Sequence, residues 1–310
     1  MGAGVVASQS TERRRVRACE QFLLARLGLP LPRLRSGGGR PGQLAALSSA
    51  DPLVRGAAVS ALSGNVYHQG TRWPASAHVV APLVVLADTP TTPDRATVVH
   101  LLHAVALGDL RDDVLPFDPV RAFAGAERVG PSDEAAVLRV LFEDEDPDPD
   151  SVADVADAVA VRWAADAYRA AERHAPSFLT WLEAAEPAVA SRAAALLAWF
   201  PAVPGLATAL AGVGFSRCTA RASANLALAF LPGPPNSGEL AALTACLAST
   251  DEAVQVTAAV ALARRQTTAL PDEALTVLVH ADDAEVAGAL PGWDRSLRGH
   301  VALALRQLGL

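Results

Sequence analysis

The sequence predicts an all-α fold, and three observations carry that prediction. Alanine, leucine and valine recur at helical spacing over most of the 310 residues, and apolar residues make up 51% of the chain. Strand-forming residues never alternate cleanly with polar ones over the length of a strand. A short pattern returns several times: an N-capping residue, a proline or small residue, then one apolar face. An alanine-rich core suits closely packed helices, because alanine has the highest helix propensity and lets backbones approach.

Residues 11–27 form the first predicted helix, with Val16, Phe22, Leu23 and Leu27 on one side and arginines on the other. The basic run from Arg13 to Arg17 reads as a solvated face. Leu29-Pro30-Leu31-Pro32 ends this helix, and Ser36-Gly37-Gly38-Gly39 is a flexible connector. Residues 1–40 are therefore an N-terminal helix and linker, ahead of a helical repeat domain over 41–310. Residues 42–49 and 51–62 form a helix pair whose second member opens with Asp51-Pro52 and turns Val54, Ala58, Ala61 and Leu62 to one face. Trp73–Leu86 and Pro93–Leu107 form another. Residues 109–130 carry Pro116, Pro119, Gly125 and Gly130 and read as irregular, with one short helix. Glu134–Leu141 is helical. The acidic, proline-broken run 143–150 is a solvated loop; it lacks the glycine and closing glutamate of a calcium loop. With 109–130 it makes a mid-chain insertion over about 109–150. A long helix follows from Ser151, as N-cap, to His174.

The template of 51–62 then returns. Glu186-Pro187-Ala188-Val189 leads to Ala193, Leu196 and Leu197, and Asp251 leads to Val254, Ala258, Ala261 and Leu262. Asp294 leads to Leu297, Arg298, Val301 and Leu305, and a degenerate copy fits Phe215, Cys218, Ala222 and Leu226. A shorter apolar segment precedes each, at 177–184, 204–212, 239–249 and 271–281. Copies fall about 30 to 45 residues apart, the period of two-helix solenoids. The Asp-x-x-Val-Arg-x-x-Ala core of residues 51–58 resembles the second helix of HEAT repeats. Asn65–Leu86 and Leu197-Ala198-Trp199-Phe200-Pro201 also resemble bacterial HEAT-repeat proteins. The resemblance implies an alpha-alpha superhelix over roughly 41–310. It also implies an Asp–Arg link between neighbouring repeats, which Arg55 and Arg298 match and Ala190 and Gln255 do not.

Composition excludes several chemistries. All 26 basic residues are arginine, so no lysine Schiff base or phosphate-loop lysine is present. The net charge of −7 gives no overall attraction to nucleic acid or anionic lipid. Cys19, Cys218 and Cys246 are far apart and form no CxxC pair, so zinc ribbons and disulfide frameworks are not expected. The longest apolar run, 77–87, is far short of the roughly 20 residues that span a bilayer. The expectation is a cytoplasmic protein without a cofactor.

One stretch concentrates polar and aromatic chemistry: Gly64 to Trp73, holding Asn65, Tyr67, His68, Gln69, Arg72 and Trp73. On the inner surface of a helical array these residues would bind a ligand or partner. Alternatively they form a buried knot in which polar groups satisfy the turn's backbone and Trp73 staples the next helix. His68, His78, His100 and His103 lie close in sequence, and His100 and His103 share a helix face, so a metal site or a general base is conceivable there. Trp163 and Tyr168 on the long helix are candidates to face the groove opposite Trp73, and Asp166, a further candidate binding residue, shares a helix face with Arg169; Trp181 and Trp199 are expected in the core. No nucleophile elbow or phosphate loop is found. The favoured expectation is a scaffold whose concave face binds a protein or peptide. The alternative is a cyclase or lyase of small molecules that uses Tyr67, His68, Arg72, Trp73 and Asp166 in the groove. Genomic neighbours would separate the two.

Overall fold

The computed structural model describes residues 40–68, 70–142, 148–266, 270–283 and 288–310. The predicted helix 11–27, Cys19, Gln69 and residues 143–147 of the acidic run lie outside the described residues. The chain divides into two compact units. One takes the described part of Met1–Asp94 with Ala104–Asp109 and Pro119–Ala171; the other takes Arg95–His103, Leu110–Asp118 and Glu172–Leu310. Among the described residues both are mostly helical with almost no strand, and no helix is long and apolar enough to cross a membrane.

The first unit opens with α1 (Arg40–Ala46) packed on α2 (Pro52–Val66). Asp51 caps α2, accepting from Leu53 N at 2.9 Å, and Pro52 sits where the helix needs no N–H. Ala58, Leu62 and Val66, four residues apart, form the buried stripe. Val54, expected on that face, is instead 42% exposed, and Leu53 is 81% exposed, because α2's first turns meet no described neighbour on that side. A two-residue hairpin follows: β1 (Tyr67–His68) pairs antiparallel with β2 (Thr71–Arg72). Then come α3 (Ser76–Asp88) and α4 (Arg95–Leu107), of which Arg95–His103 belong to the second unit. Beyond a 3₁₀ turn at Asp112–Val114, itself part of the second unit, the chain forms the short α5 (Pro119–Ala122), α6 (Pro131–Phe142) and α7 (Ala153–Glu172). Asp148, not Ser151, is the cap before α7: it accepts from Asp150 N and starts a 3₁₀ turn over Pro149–Val152. Pro149 is tolerated there because the first helical residue has no N–H to lose. Val129, Val137, Val152, Val159 and Trp163 make a local core between α6 and α7.

The second unit is a run of helix pairs. They are α8 (Ala175–Trp181) with α9 (Pro187–Leu197), α10 (Leu206–Ala211) with α11 (Cys218–Ala229), α12 (Ser237–Cys246) with α13 (Glu252–Arg265), and α14 (Asp272–Asp283) with α15 (Leu297–Leu308). Each second helix packs on the next in the series α9, α11, α13, α15. The burial of α13 follows from this. It meets α11, α12, α14 and α15, and every residue from Val256 to Ala263 is buried. Only alanine, valine, threonine and leucine stand there, small enough for helices to approach on all sides. Phe215, placed by the sequence template on the apolar face of α11, instead lies before the helix and is 53% exposed.

A recurring clamp stabilises these pairs. Four residues past the N-cap of a second helix stand Arg55, Arg221 and Gln255. Arg55 donates to Ser49 O and Ala50 O at 2.8 and 3.0 Å, Arg221 to Ala211 O and Val213 O at 2.8 and 3.1 Å, and Gln255 to Leu247 O at 2.8 Å. In each case the side chain reaches back to carbonyls at the end of the first helix or in the turn after it, which have no intrahelical partner. Gln255, a mismatch to the Arg pattern, thus does the same work as arginine. At α9 the position is Ala190, and Arg217 at the next N-cap supplies the bond to Ala184 O. At α15 the cap is Ser296, which accepts from Gly299 N at 3.2 Å. The register is therefore two residues later than a start at Asp294 implies, and the clamp position falls on His300, not Arg298.

Candidate binding site

The stretch 64–73 is a joint held together by several buried hydrogen bonds. Arg72 is buried and donates to Leu107 O at 2.7 Å. Burial lowers its pKa from the usual arginine value, with Asp109 opposing. Gly70 (φ +85°) and Gly108 (φ +68°) make the space: a Cβ on Gly108 would overlap the guanidinium, and one on Gly70 would run into the Asp109 carboxyl. Ser76 Oγ donates to Val66 O at 2.5 Å and accepts from Trp73 N at 2.7 Å, which closes the chain back on α2. Asn65 donates to Gln43 Oε1 at 3.2 Å. Tyr67 stands opposite Arg72 and His68 opposite Thr71 in the hairpin register.

Trp73 and Trp163 are in direct contact, with ring centroids 5.9 Å apart, and the Trp163 indole donates to Glu134 Oε1 at 2.8 Å. Tyr168 does not join them. It is buried against Phe123 at 5.4 Å, because five residues place it about 140° around the helix from Trp163. Asp166 is half-buried, 3.8 Å from Arg169. On α4, His100 and His103 both look toward residues of α9 and its C-terminal end. His100 Nδ1 is 3.2 Å from Arg192 NH1, and the His103 ring is edge-on to Trp199 at 6.4 Å. Burial, with His100 and Arg192 adding to it, lowers the His103 pKa to about 4. His78 is exposed. Among the described residues no three His, Cys, Asp or Glu side chains come together as metal ligands.

Two features of the second unit were not singled out from the sequence. The first is a pocket of about 330 Å³ at the ends of the α10–α11 and α12–α13 pairs, lined by Pro201, Leu206, Thr208, Leu231, Pro234 and Arg265. At its edge the Arg265 guanidinium meets Glu239 at 3.1 Å, both side chains 6% exposed, and donates to Leu231 O and Gly233 O. Glu239 also closes a capping box with Asn236. Prolines and the Arg265–Glu239 pair form part of its walls, and among the described residues the buried Arg265 Nε has no hydrogen-bond partner.

The second feature surrounds His300. Its side chain is 1% exposed and its Nε2 lies 3.7 Å from Asp112 Oδ2. Among the described residues neither ring nitrogen has a hydrogen-bond partner. Trp293 and Phe230 flank the ring at 5.7 and 6.1 Å, and the Trp293 indole donates to Ser223 Oγ at 2.8 Å. Asp112 accepts from Arg295 N at 2.9 Å, and the Arg295 Nε is 3.4 Å from its other oxygen. The Arg264 guanidinium carbon lies 4.3 Å from the centre of the Phe230 ring. Burial lowers the His300 pKa to about 4, against the pull of Asp112 and with that of Arg295 and Arg264. The only sequence signal was the spacing from Ser296. Comparison of the chain with family models, with curated proteins and with solved structures returns no match.

Proposed function

We propose that the chain is a HEAT-like helical-repeat scaffold, coiled as an alpha-alpha superhelix, that binds a protein or peptide partner. The observation that carries this reading is the series α9, α11, α13, α15, each second helix packed on the next, with a clamp from the first turn of the helix to the preceding turn. Arrays of this kind present extended surfaces along one row of helices. The proline-walled cavity beside Arg265 is the anchor point of the proposed surface, sized for one apolar or aromatic side chain of an extended peptide. Its ion pair is internally neutral, so an uncharged anchor suits it better than a charged one.

The alternative, a small-molecule cyclase or lyase built on Tyr67, His68, Arg72, Trp73 and Asp166, has less support. Arg72 and Ser76 are engaged in holding the turn, and the Trp73–Trp163 pair packs against the local core rather than framing an open cavity. The test is selection of peptides from a random library against the purified chain, followed by affinity measurement on Thr208→Trp, which fills the pocket mouth. Binders that share an apolar anchor and weaken tenfold or more on Thr208→Trp are expected. A library that yields no saturable binder, or binders indifferent to Thr208→Trp, would overturn the reading. Small-angle scattering that fits a globule rather than a curved array would remove the superhelix.

A further inference from the structure

The clamp position of α15 departs from its counterparts in a way that points to a ligand. Arg55, Arg221 and Gln255 each find a carbonyl in the preceding turn. His300, at the same place, has no such bond among the described residues, although its ring is buried. A buried polar group without a partner costs free energy and calls for an explanation. Two guanidinium groups sit at the same spot. Arg295 is held by Asp112, which lies beside His300, and Arg264 is stacked on Phe230, which flanks the same ring. Among the described residues the Nε of each is buried without a hydrogen-bond partner, and Arg264 has no ion pair. Asp112 pairs with Arg295, and Arg264 lies within electrostatic reach of Arg295 but, among the described residues, not in an ion pair of its own; Asp294 and Asp113 lie on the Asp112 side of the cluster. Burial, and after it the neighbouring Arg295, lowers the pKa of Arg264. Both arginines are only partly buried.

We propose that Arg264 and Arg295, with the buried edge of His300 beneath them, form a binding site for a small oxyanion, a carboxylate or a phosphate. Guanidinium groups hold such anions through paired N–H donors, and a shared anion relieves the repulsion between the two arginines. The neutral imidazole adds one further donor at its base. The site is independent of the peptide pocket, which shares none of these residues.

The test is calorimetric titration of the full chain with inorganic phosphate and, separately, with citrate, at ionic strength held constant with sodium chloride. Saturable binding of at least one probe is expected. Binding of phosphate alone assigns a phosphoryl ligand, and binding of citrate alone a carboxylate. Arg264→Gln is expected to weaken binding at least tenfold, and Arg264→Lys by less, because it keeps the charge and loses the fork. Arg169→Gln, on α7, is expected to change nothing. Should Arg264→Gln fail to fold, NMR of the His300 ring in the parent chain decides: its resonances shift on saturation if the anion lies over it. Absence of saturable binding by either probe, parental affinity in Arg264→Gln, or ring resonances that stay still at saturation overturns the proposal.

Discussion

Two buried arginines show how differently two regions of this molecule solve the same problem. Arg221, 1% exposed in α11, donates to two carbonyls of the turn before it and, through Nε and NH2, to Asn225 Oδ1 at 3.0 and 2.7 Å. Asn225 passes the link on to Val254 O and Thr257 Oγ1 of α13. Arg72, in the hairpin joint, finds Leu107 O but leaves its buried Nε without a partner among the described residues, and it needs Gly70 and Gly108 at positive φ to fit at all. In the helix pairs the acceptors are a by-product of regular geometry: a first helix ends in free carbonyls, and at Arg55, Arg221 and Gln255 the fourth residue past the next N-cap reaches carbonyls at or just beyond that end. In the joint the acceptor is made once, by local backbone that only glycine adopts at no steric cost. Regular repetition tolerates substitution of one donor by another, as Gln255 shows; the single joint does not.

This contrast can be broken or sharpened, beginning with the largest effect. Arg221→Met removes four donated bonds and strands buried carbonyls and the Asn225 oxygen, and is expected to cost about 4 kcal/mol in urea denaturation. A loss under about 1 kcal/mol would mean that the clamp adds little. Gly108→Ala forces a side chain into a left-handed backbone and into the Arg72 guanidinium, and is expected to cost about 2–3 kcal/mol. Gly205→Ala is the comparison: it shares the positive φ but has no atom within 4 Å of the added Cβ, so it should cost less and isolate the steric part.

The third prediction concerns pH. His300 and His103 have folded pKa values lowered to about 4 from 6.5. A depressed histidine pKa means that the unfolded chain takes up protons first as pH falls. Stability is then fully present above pH 6.5 and is lost as pH falls from 6.5 toward 4. Between pH 7 and pH 5 each contributes a loss on the order of 1–2 kcal/mol. His300→Phe should flatten that slope; an unchanged slope would mean that the ring is not buried neutral. The smallest effect is expected at Asp94→Asn. It removes the charge from the exposed pair with Arg55 (2.6 Å) while keeping a residue that tolerates the left-handed φ of 51°, and should cost less than about 1 kcal/mol in the same denaturation assay.

Much of the helix layout could be read from residue order. The pair 42–49 and 51–62 is found at Arg40–Ala46 and Pro52–Val66, and the copy at Asp251 begins a helix at Glu252 with Asp251 accepting from Val254 N. Caps and apolar spacing are local signals, and they survive packing. The joint at 64–73 was visible as a concentration of unusual residues, but its two open readings needed coordinates, because the partner of Arg72 is a carbonyl 35 residues away. The His300 site was the least legible. Asp294 and Ser296 are both good caps, and a shift of two residues decides which side chain takes the clamp position.

By itself, then, residue order determined helices, caps and the alanine-rich faces, since these depend on neighbours within a few positions. Tertiary structure decided which charged and aromatic groups meet: Asp112 with Arg295 and His300, Trp293 with Phe230, Arg72 with Leu107. Those contacts join residues far apart in the chain, and a polar side chain's chemistry is set by what surrounds it once water is excluded, which no local pattern records.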